Sequence, residues 1–304
     1  MHNHSHSHGH SHADHFDTHN RAFAIAVVLN LGFVIIEAVY GVLSGSLALL
    51  ADAGHNLSDV LGLVMAWVAS WLASRKATDR NTYGLKKTTI LAALFNALFL
   101  IAAVGGIAWE AIRRFNEPAE VAGLTIIIVA SIGVLINGVT MLLFLKGQEG
   151  DLNIRGAFLH MAADTLVSVG VVIAGVVILF TDVRWIDPVV SLVIAVVIFI
   201  GTWRLLKDSV SLAVDAVPKS INPAEVLEKL QALPGVESAH HLHIWALSTT
   251  ENALTVHLIK PDSADDDQVI EQATHMLNHN FNIQHVTIQW ERAVTGCPNT
   301  SGCR

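Results

Sequence analysis

Charged residues are scarce in this chain of 304 residues, and their scarcity argues against an ordinary soluble protein. Only 14% of the residues are charged, whereas soluble domains average about 25%. The net charge is -8 and no basic cluster is arranged to grip phosphates, so we expect no nucleic-acid partner. The two cysteines, Cys297 and Cys303, are too few for a disulfide framework and favour a cytosolic thiol or metal role.

Long apolar runs take the place of charge. Hydrophobic residues make up 52% of the chain, and the mean hydropathy is +0.51. They form six blocks at 21–43, 46–73, 88–111, 121–146, 155–180 and 186–206. Each block reaches the ~20 residues that a helix needs to cross a bilayer, and the first 20 residues do not look like a secretory signal. The sequence therefore predicts an α-helical membrane protein with six transmembrane helices.

The remaining segments differ in composition. Residues 1–20 are histidine-rich and of low complexity, which predicts a disordered, metal-collecting tail. The six-helix transmembrane domain then takes up 21–207. Ordinary soluble composition at 208–295 predicts a cytoplasmic domain that binds metal and dimerises, and 296–304 are a short tail that carries both cysteines.

Basic residues predict the orientation of the chain in the membrane. With six spans, both termini and the 2–3 and 4–5 loops lie on one side. That side carries ten basic residues: Arg21, Arg75, Lys76, Arg80, Lys86, Lys87, Lys146, Arg155, Arg204 and Lys207. The other side carries three: Arg113, Arg114 and Arg184. The positive-inside rule places both termini in the cytoplasm.

The soluble segment has the pattern of a small α+β domain. Asn222 is a helix cap followed by proline at the first helical position. Strand patterns at 236–248, 253–260 and 285–291, with a second helix at 265–280, give the order αββαβ, which predicts a ferredoxin-like or metallochaperone-like fold with helices on one face. Strand alternation places His241 and His243 on one face and His240 on the other.

Two of the seventeen histidines lie inside the apolar spans, and an aspartate follows each of them four residues later. The segment HNLSD contains His55 and Asp59, and HMAAD contains His160 and Asp164. Positions i and i+4 share one face of a helix. With a rise of ~1.5 Å per residue, both pairs lie near the middle of spans that run in opposite directions. The spacing predicts one four-ligand site near the bilayer midplane.

The ligand types indicate what such a site would bind. Two imidazoles and two carboxylates in a tetrahedral arrangement suit Zn²⁺. Two ionised aspartates neutralise a divalent cation, so the loaded site carries no net charge. Without metal, the carboxylates repel each other and take up protons. Competition between metal and protons for one site predicts a proton-coupled antiporter.

Three further polar residues in the spans are candidates for a supporting layer. Asp52 lies three residues before His55 on the same face, where it is either a ligand or a partner that orients one. Asn30 and Glu37 lie seven residues apart on one face of the first span. They either line the ion path or serve packing, and the sequence leaves both open.

Other functions are weighed against transport. A single intramembrane histidine commonly serves only to hydrogen-bond a neighbouring helix. An intramembrane metal-dependent hydrolase needs an open coordination position and a general base, and no HExxH motif is present. A metal sensor would carry its ligands in the soluble domain and would not need six spans.

The motifs resemble those of the cation diffusion facilitators, in particular bacterial zinc, cadmium and cobalt efflux transporters similar to vertebrate zinc transporters. The resemblance rests on GSLALLADAGHNLSD, HMAADTLVSVG, HHLHIWALS and TIQWE. It implies a homodimer in the bacterial inner membrane that is not an enzyme and needs no organic cofactor. It also implies that Zn²⁺ is substrate and regulatory ligand, with Cd²⁺ or Co²⁺ as further cargo.

The resemblance also assigns residues. It implies a transport site of four residues: His55, Asp59, His160 and Asp164. It implies a cytoplasmic metal site of three: His240, His257 and Glu291. Two departures from relatives bear on the number of metal sites. The loop SRKATDRNTYGLKK has no histidine, so we expect no site there, and Gln289 stands where several relatives have histidine.

Overall fold

The computed structural model describes residues 13–116, 121–145, 152–181 and 183–292. Its elements in chain order are α1 (Ala13–Ser44), α2 (Leu47–Ala73), α3 (Thr88–Asn116), α4 (Gly123–Phe144), α5 (Leu152–Thr181), α6 (Ile186–Ala213), α7 (Pro223–Gln231), β1 (Ser238–Ala246), β2 (Asn252–Ile259), α8 (Asp266–Phe281) and β3 (Ile283–Glu291). Residues 1–12 of the tail predicted at 1–20, and the whole of the tail predicted at 296–304, lie outside the described residues.

The apolar helices have the dimensions of membrane spans. Among the described residues, α2 to α6 each contain a segment long and apolar enough to cross a bilayer, and α1 contributes a shorter apolar segment, Val28–Ser44. Large apolar side chains such as Phe180 and Trp67 are exposed on these helices, as a lipid environment permits. The predicted class, a helical membrane protein with a small α+β domain, is confirmed. The helical backbone of α1 begins at Ala13, inside the segment predicted to be a disordered tail.

The chain forms two compact units, and the first contains the described parts of 1–61 and 99–201. Phe33, Leu49 and Ile126 are almost completely buried in its core. In this unit α4 and α5 approach closely at two glycines. A Cβ on Gly123 would lie 3.0 Å from the carbonyl oxygen of Gly175, so any larger residue would push the helices apart. The glycine pair thereby fixes α5, which carries half of the predicted transport site.

A buried carboxylate fixes the first turn of α2. Asp187, at the start of α6, accepts hydrogen bonds from the backbone N–H of Leu47 at 2.8 Å and of Ala48 at 3.2 Å. It also accepts from the Ser46 hydroxyl at 2.5 Å, and Arg114 Nη1 lies 3.8 Å from Asp187 Oδ2. Because the first N–H groups of a helix have no partner within the helix, Asp187 caps α2 from another span.

The second unit contains the described parts of 62–98 and 202–304, and with them the soluble domain. Asn222 caps α7 by accepting from the N–H of Ala224 at 3.1 Å. The sheet has the order β1-β2-β3, with β1 antiparallel and β3 parallel to β2. Leu230 of α7 and Leu277 of α8 are buried in one core with Leu254 of β2. The predicted αββαβ order is confirmed.

Candidate metal centres

Side chains of α2 and α5 converge inside the first unit. His55 and Asp59 lie one turn apart on α2, with His55 Nε2 3.8 Å from Asp59 Oδ2. Asp164 of α5 brings its Oδ1 to 3.3 Å from the same Nε2. One ligand atom from each of the three residues lies within 4.8 Å of the others. Three of the four residues predicted for the transport site therefore come together among the described side chains.

The fourth predicted ligand, His160, lies on α5 one helical turn before Asp164. Its side chain is outside the described part of the structure. Its backbone position makes it the first member of an i, i+4 pair with Asp164, which matches His55 and Asp59 on α2.

The spacing of the three ligand atoms is close to that of a zinc site. Ligands at 2.0–2.2 Å from a tetrahedral Zn²⁺ lie about 3.3–3.6 Å from one another, and the two distances at His55 are 3.3 and 3.8 Å. The Asp164 side chain is 2% exposed, whereas Asp59 is 30% exposed. The cluster is thus closed at Asp164 and partly open at Asp59.

A buried polar layer adjoins the three ligands. Ser168 Oγ on α5 donates to Asp52 Oδ2 on α2 at 3.1 Å. Asn56 Nδ2 donates to Glu37 Oε2 of α1 at 3.2 Å. Asp52 and Glu37 are fully buried, and their carboxyl groups also interact with each other. The layer links α1, α2 and α5 around the site.

Sequence reasoning found the acids of this layer but missed their donors. Asp52 and Glu37 were candidates because ionisable groups in apolar helices are costly. Ser168 follows Asp164 by four residues, so extending the i, i+4 rule by one turn would have identified it. Asn56 carries no spacing signal. Asn30 Oδ1 is buried and has no hydrogen-bond partner among the described residues, which leaves its predicted role undecided.

A second cluster lies on the sheet of the soluble domain. His257 Nδ1 on β2 lies 2.8 Å from Glu291 Oε1 on β3. His240 Nε2 on β1 lies 3.4 Å from Glu291 Oε2. His240 and His257 are directly opposed across the antiparallel pair, and the three ligand atoms lie within 4.8 Å of one another. The structure thus brings together all three residues predicted for the cytoplasmic site.

A β-bulge adds a third imidazole to this cluster. The register of β1 shifts between His240 and His243, and His241 adopts a left-handed φ of 53°. Its ring stacks on His257 at 4.8 Å, while the ring of His240 also contacts His257 at 5.4 Å. The predicted pairing of His241 with His243 agrees with their ring contact at 4.8 Å. The predicted placement of His240 on the opposite face was wrong, because a bulge inserts one residue and resets the faces.

The electrostatic setting of His241 favours metal over protons. Desolvation lowers the pKa of His241, and the neighbouring imidazoles of His243, His257 and His240 lower it further. A neutral imidazole has a lone pair available for a metal ion. The bulge therefore presents one more nitrogen ligand beside the cluster of His240, His257 and Glu291.

Comparison with known proteins identifies relatives of both parts of the chain. Residues 23–212 match the family described as "Cation efflux transmembrane domain", and residues 218–293 match "Cation efflux protein, cytoplasmic domain". The chain is 39% identical to the "Metal cation efflux system protein CzcD" of Cupriavidus metallidurans, over 92% of this chain and 89% of the relative.

Two further relatives are similar over nearly their full length. The chain is 38% identical to the "Zinc transporter ZitB" of Escherichia coli, over 90% of this chain and 88% of the relative. It is 35% identical to the "Cadmium, cobalt and zinc/H(+)-K(+) antiporter" of Bacillus velezensis, over 94% of this chain and 93% of the relative.

Proposed function

The chain belongs to the cation efflux family, and on that premise we propose that it exports Zn²⁺ from the cytoplasm in exchange for protons. Family membership makes it a multi-pass membrane transporter rather than an enzyme. The names of its relatives support zinc as cargo, with Cd²⁺ and Co²⁺ as further substrates. The name of the Bacillus velezensis relative supports antiport with protons.

The transport site proposed here consists of four residues: His55, Asp59, His160 and Asp164. The observation that carries this assignment is the convergence of His55, Asp59 and Asp164 within 4.8 Å of one another. Two carboxylates match the charge of one divalent cation, and imidazole nitrogen suits zinc. Asp52 and Glu37 would then orient and electrostatically support the ligands from the adjoining layer.

Proton coupling follows from the same ligand set. When zinc leaves, two carboxylates and the imidazoles remain close together in a poorly solvated site, where like charges oppose each other. Proton uptake relieves that repulsion, and the arrival of the next Zn²⁺ expels the protons. A site that binds either protons or metal converts a proton gradient into metal export.

The soluble domain would regulate transport through its own metal. We assign Zn²⁺ to the cluster of His240, His257 and Glu291, where three ligand atoms already lie within 4.8 Å. The arrangement we propose is a homodimer in the bacterial inner membrane with both termini cytoplasmic. The tails at 1–20 and 296–304 and the domain boundary at 207/208 remain predictions.

Zinc flux into proteoliposomes tests the proposed function. The purified chain should accumulate Zn²⁺ only when a pH gradient is imposed. Asp164→Asn should lower the rate by about 100-fold or more, since even residues that merely support metal ligands contribute 10–100-fold. Asp262→Asn, which alters an exposed carboxylate of the soluble domain, is the matched control. Equal flux in the Asp164 variant and the wild type would refute the site.

A further inference from the structure

A polar cavity lies within the second unit, and none of the residues that line it belongs to either metal cluster. Its volume is about 480 Å³, and it lies between α2, α3, α6 and the turn that joins β1 to β2. Its lining includes Ser70 of α2, Thr89 and Asn96 of α3, and Thr249 and Glu251 of the turn. Hydroxyl and amide groups are costly in an apolar helix unless they face water or a partner.

The inner end of the cavity approaches the helix that carries the transport ligands. Gly62 of α2 lines it together with Asn96 of α3. A Cβ on Gly62 would lie 2.9 Å from Asn96 Nδ2, so a larger residue at this position would displace the amide from its place against α2. Gly62 follows Asp59 by three residues, on the same side of the helix and about 4.5 Å along its axis. Gly62, which lines the cavity, therefore lies less than one helical turn along α2 from Asp59.

The outer end of the cavity carries a charged group. Lys86, just before α3, donates to Glu251 Oε2, and His285 Nε2 lies 3.4 Å from the same oxygen. Lys86 Nζ also lies 3.2 Å from His285 Nε2, and Tyr83 packs edge-on against His285. The hydrogen bond from Lys86 lowers the pKa of Glu251. Glu251 is therefore ionised at neutral pH, and its carboxylate interacts with both Lys86 and His285.

A hydrogen bond holds the turn against the membrane helix. The backbone N–H of Thr249 donates to Thr89 Oγ1 at 3.1 Å. The soluble domain therefore forms part of the cavity wall. The space is also large enough for a hydrated ion, because six waters occupy about 180 Å³ at ~30 Å³ each.

We propose that this cavity is the cytoplasmic entrance for hydrated divalent cations, and that the net charge of Glu251 and Lys86 sets how readily cations enter. The proposal rests on the transport function proposed above. It makes the β1–β2 turn part of the ion path, with Asn96 at the inner end. A charged mouth concentrates or repels ions before they bind. A change in its net charge should therefore alter the KM for zinc and leave the maximal rate unchanged.

A charge series measured by zinc flux in proteoliposomes tests the role of the mouth. Glu251→Gln leaves Lys86 unopposed and should raise the KM for zinc about 3- to 10-fold at low ionic strength. Lys86→Gln leaves Glu251 unopposed and should lower the KM by a similar factor. The double variant restores the net charge, so its KM should return close to that of the wild type, and Glu271→Gln is the control.

Thiol labelling tests the cavity without relying on flux. In a Cys297→Ser, Cys303→Ser background, Asn96→Cys and Ser70→Cys should react with a charged, membrane-impermeant methanethiosulfonate added on the side of the soluble domain. Leu91→Cys lies nearer the start of α3, but it is exposed and is not among the residues that line the cavity. That variant should stay unlabelled.

The two experiments separate the failure of this proposal from the failure of transport itself. The proposal is overturned if the wild-type protein transports zinc, the KM stays constant across the charge series and Asn96→Cys is not labelled. In that case the entrance lies elsewhere. If the wild type carries no zinc at all, the proposed function fails and the entrance fails with it. Normal maximal rates, KM values ordered by net charge and a labelled Asn96→Cys would support the proposal.

Discussion

Asp52 lies close to the metal ligands, but its hydrogen bonding sets it apart from them. Its Oδ2 accepts from Ser168, and the group of ligand atoms within 4.8 Å consists of His55, Asp59 and Asp164 among the described residues. A carboxylate bound to a hydroxyl on the partner helix is suited to fixing the positions of α2 and α5. This geometry favours the supporting role over the ligand role that the sequence left open.

We predict that Asp52→Asn weakens zinc binding without removing the site. Partners that orient ligands typically contribute 10–100-fold in affinity, so the dissociation constant should rise by about that factor while the number of bound zinc ions stays constant. Equilibrium dialysis of the purified chain measures both quantities. Asp59→Asn should instead remove one zinc per protomer. Loss of a bound zinc in the Asp52 variant would make Asp52 a ligand.

At the scale of single residues, spacing predicted more than residue type alone. His55, Asp59 and Asp164 were found because polar groups are costly in an apolar helix and i, i+4 pairs share a face. His241 was missed as a neighbour of His257 because a bulge shifts the register by one residue, and nothing in HHLHIWALS marks where the extra residue falls. Ser168 was missed because serine is common in membrane helices, where it usually serves packing.

Among the helices, α2 depends on a cap that comes from α6. Asp187 receives the first N–H groups of α2 and has Arg114 close by. Asp187→Asn removes the negative charge from this helix N-terminus, so it should destabilise the chain by about 1–2 kcal/mol. Thermal unfolding in detergent measures the loss.

The control for this prediction lies on the same helix. Asp208 pairs with Lys219 at the surface, and exposed pairs contribute about 0–1 kcal/mol. Asp208→Asn should therefore lower the melting temperature less than Asp187→Asn does. Equal shifts would mean that Asp187 does not act as a cap.

In the soluble domain, an ion pair joins the end of β3 to the start of α8. Arg292 Nη2 donates to Asp266 Oδ2, and Lys260 Nζ donates to Asp266 Oδ1 at 3.0 Å. The hydrogen bond from Arg292 lowers the pKa of Asp266. Because the folded pKa is below the unfolded value of about 3.9, the pair stabilises the fold above that pH. The stabilisation is lost as the pH falls through the folded pKa.

We predict that Arg292→Gln flattens this acid dependence. Between about pH 5 and pH 3, the wild type should lose more protection of the α8 and β3 amides from hydrogen exchange than the variant does. Comparing the two proteins at the same pH cancels the intrinsic exchange rates. Identical pH profiles would show that the Arg292 pair makes no difference to stability.

The elements themselves followed closely from the sequence. Apolar blocks gave the spans, and the capped helix and alternating strands gave the αββαβ order. The cap at Asp187 was not predictable, since it joins residues 140 positions apart and a buried aspartate has no periodicity that would name its partner. The length of α1 was also missed, because a histidine-rich stretch carries no apolar pattern by which to place a helix start.

For the whole molecule, two metal clusters give the chain two places at which it would respond to zinc. One lies between α2 and α5 in the first unit, and the other lies on the sheet of the second. The proposed transport function depends on the first, whereas regulation depends on the second. An experiment that detects zinc at both clusters in the same sample therefore has an internal reference.

The most direct measurement is anomalous scattering at the zinc edge from crystals of the full chain grown with zinc. We predict a peak between α2 and α5, with His55, Asp59, His160 and Asp164 at about 2.0–2.2 Å, and a second peak beside His240, His257 and Glu291. If the second peak is present and no zinc lies between α2 and α5, the cluster in the membrane is not the transport site and the account is wrong.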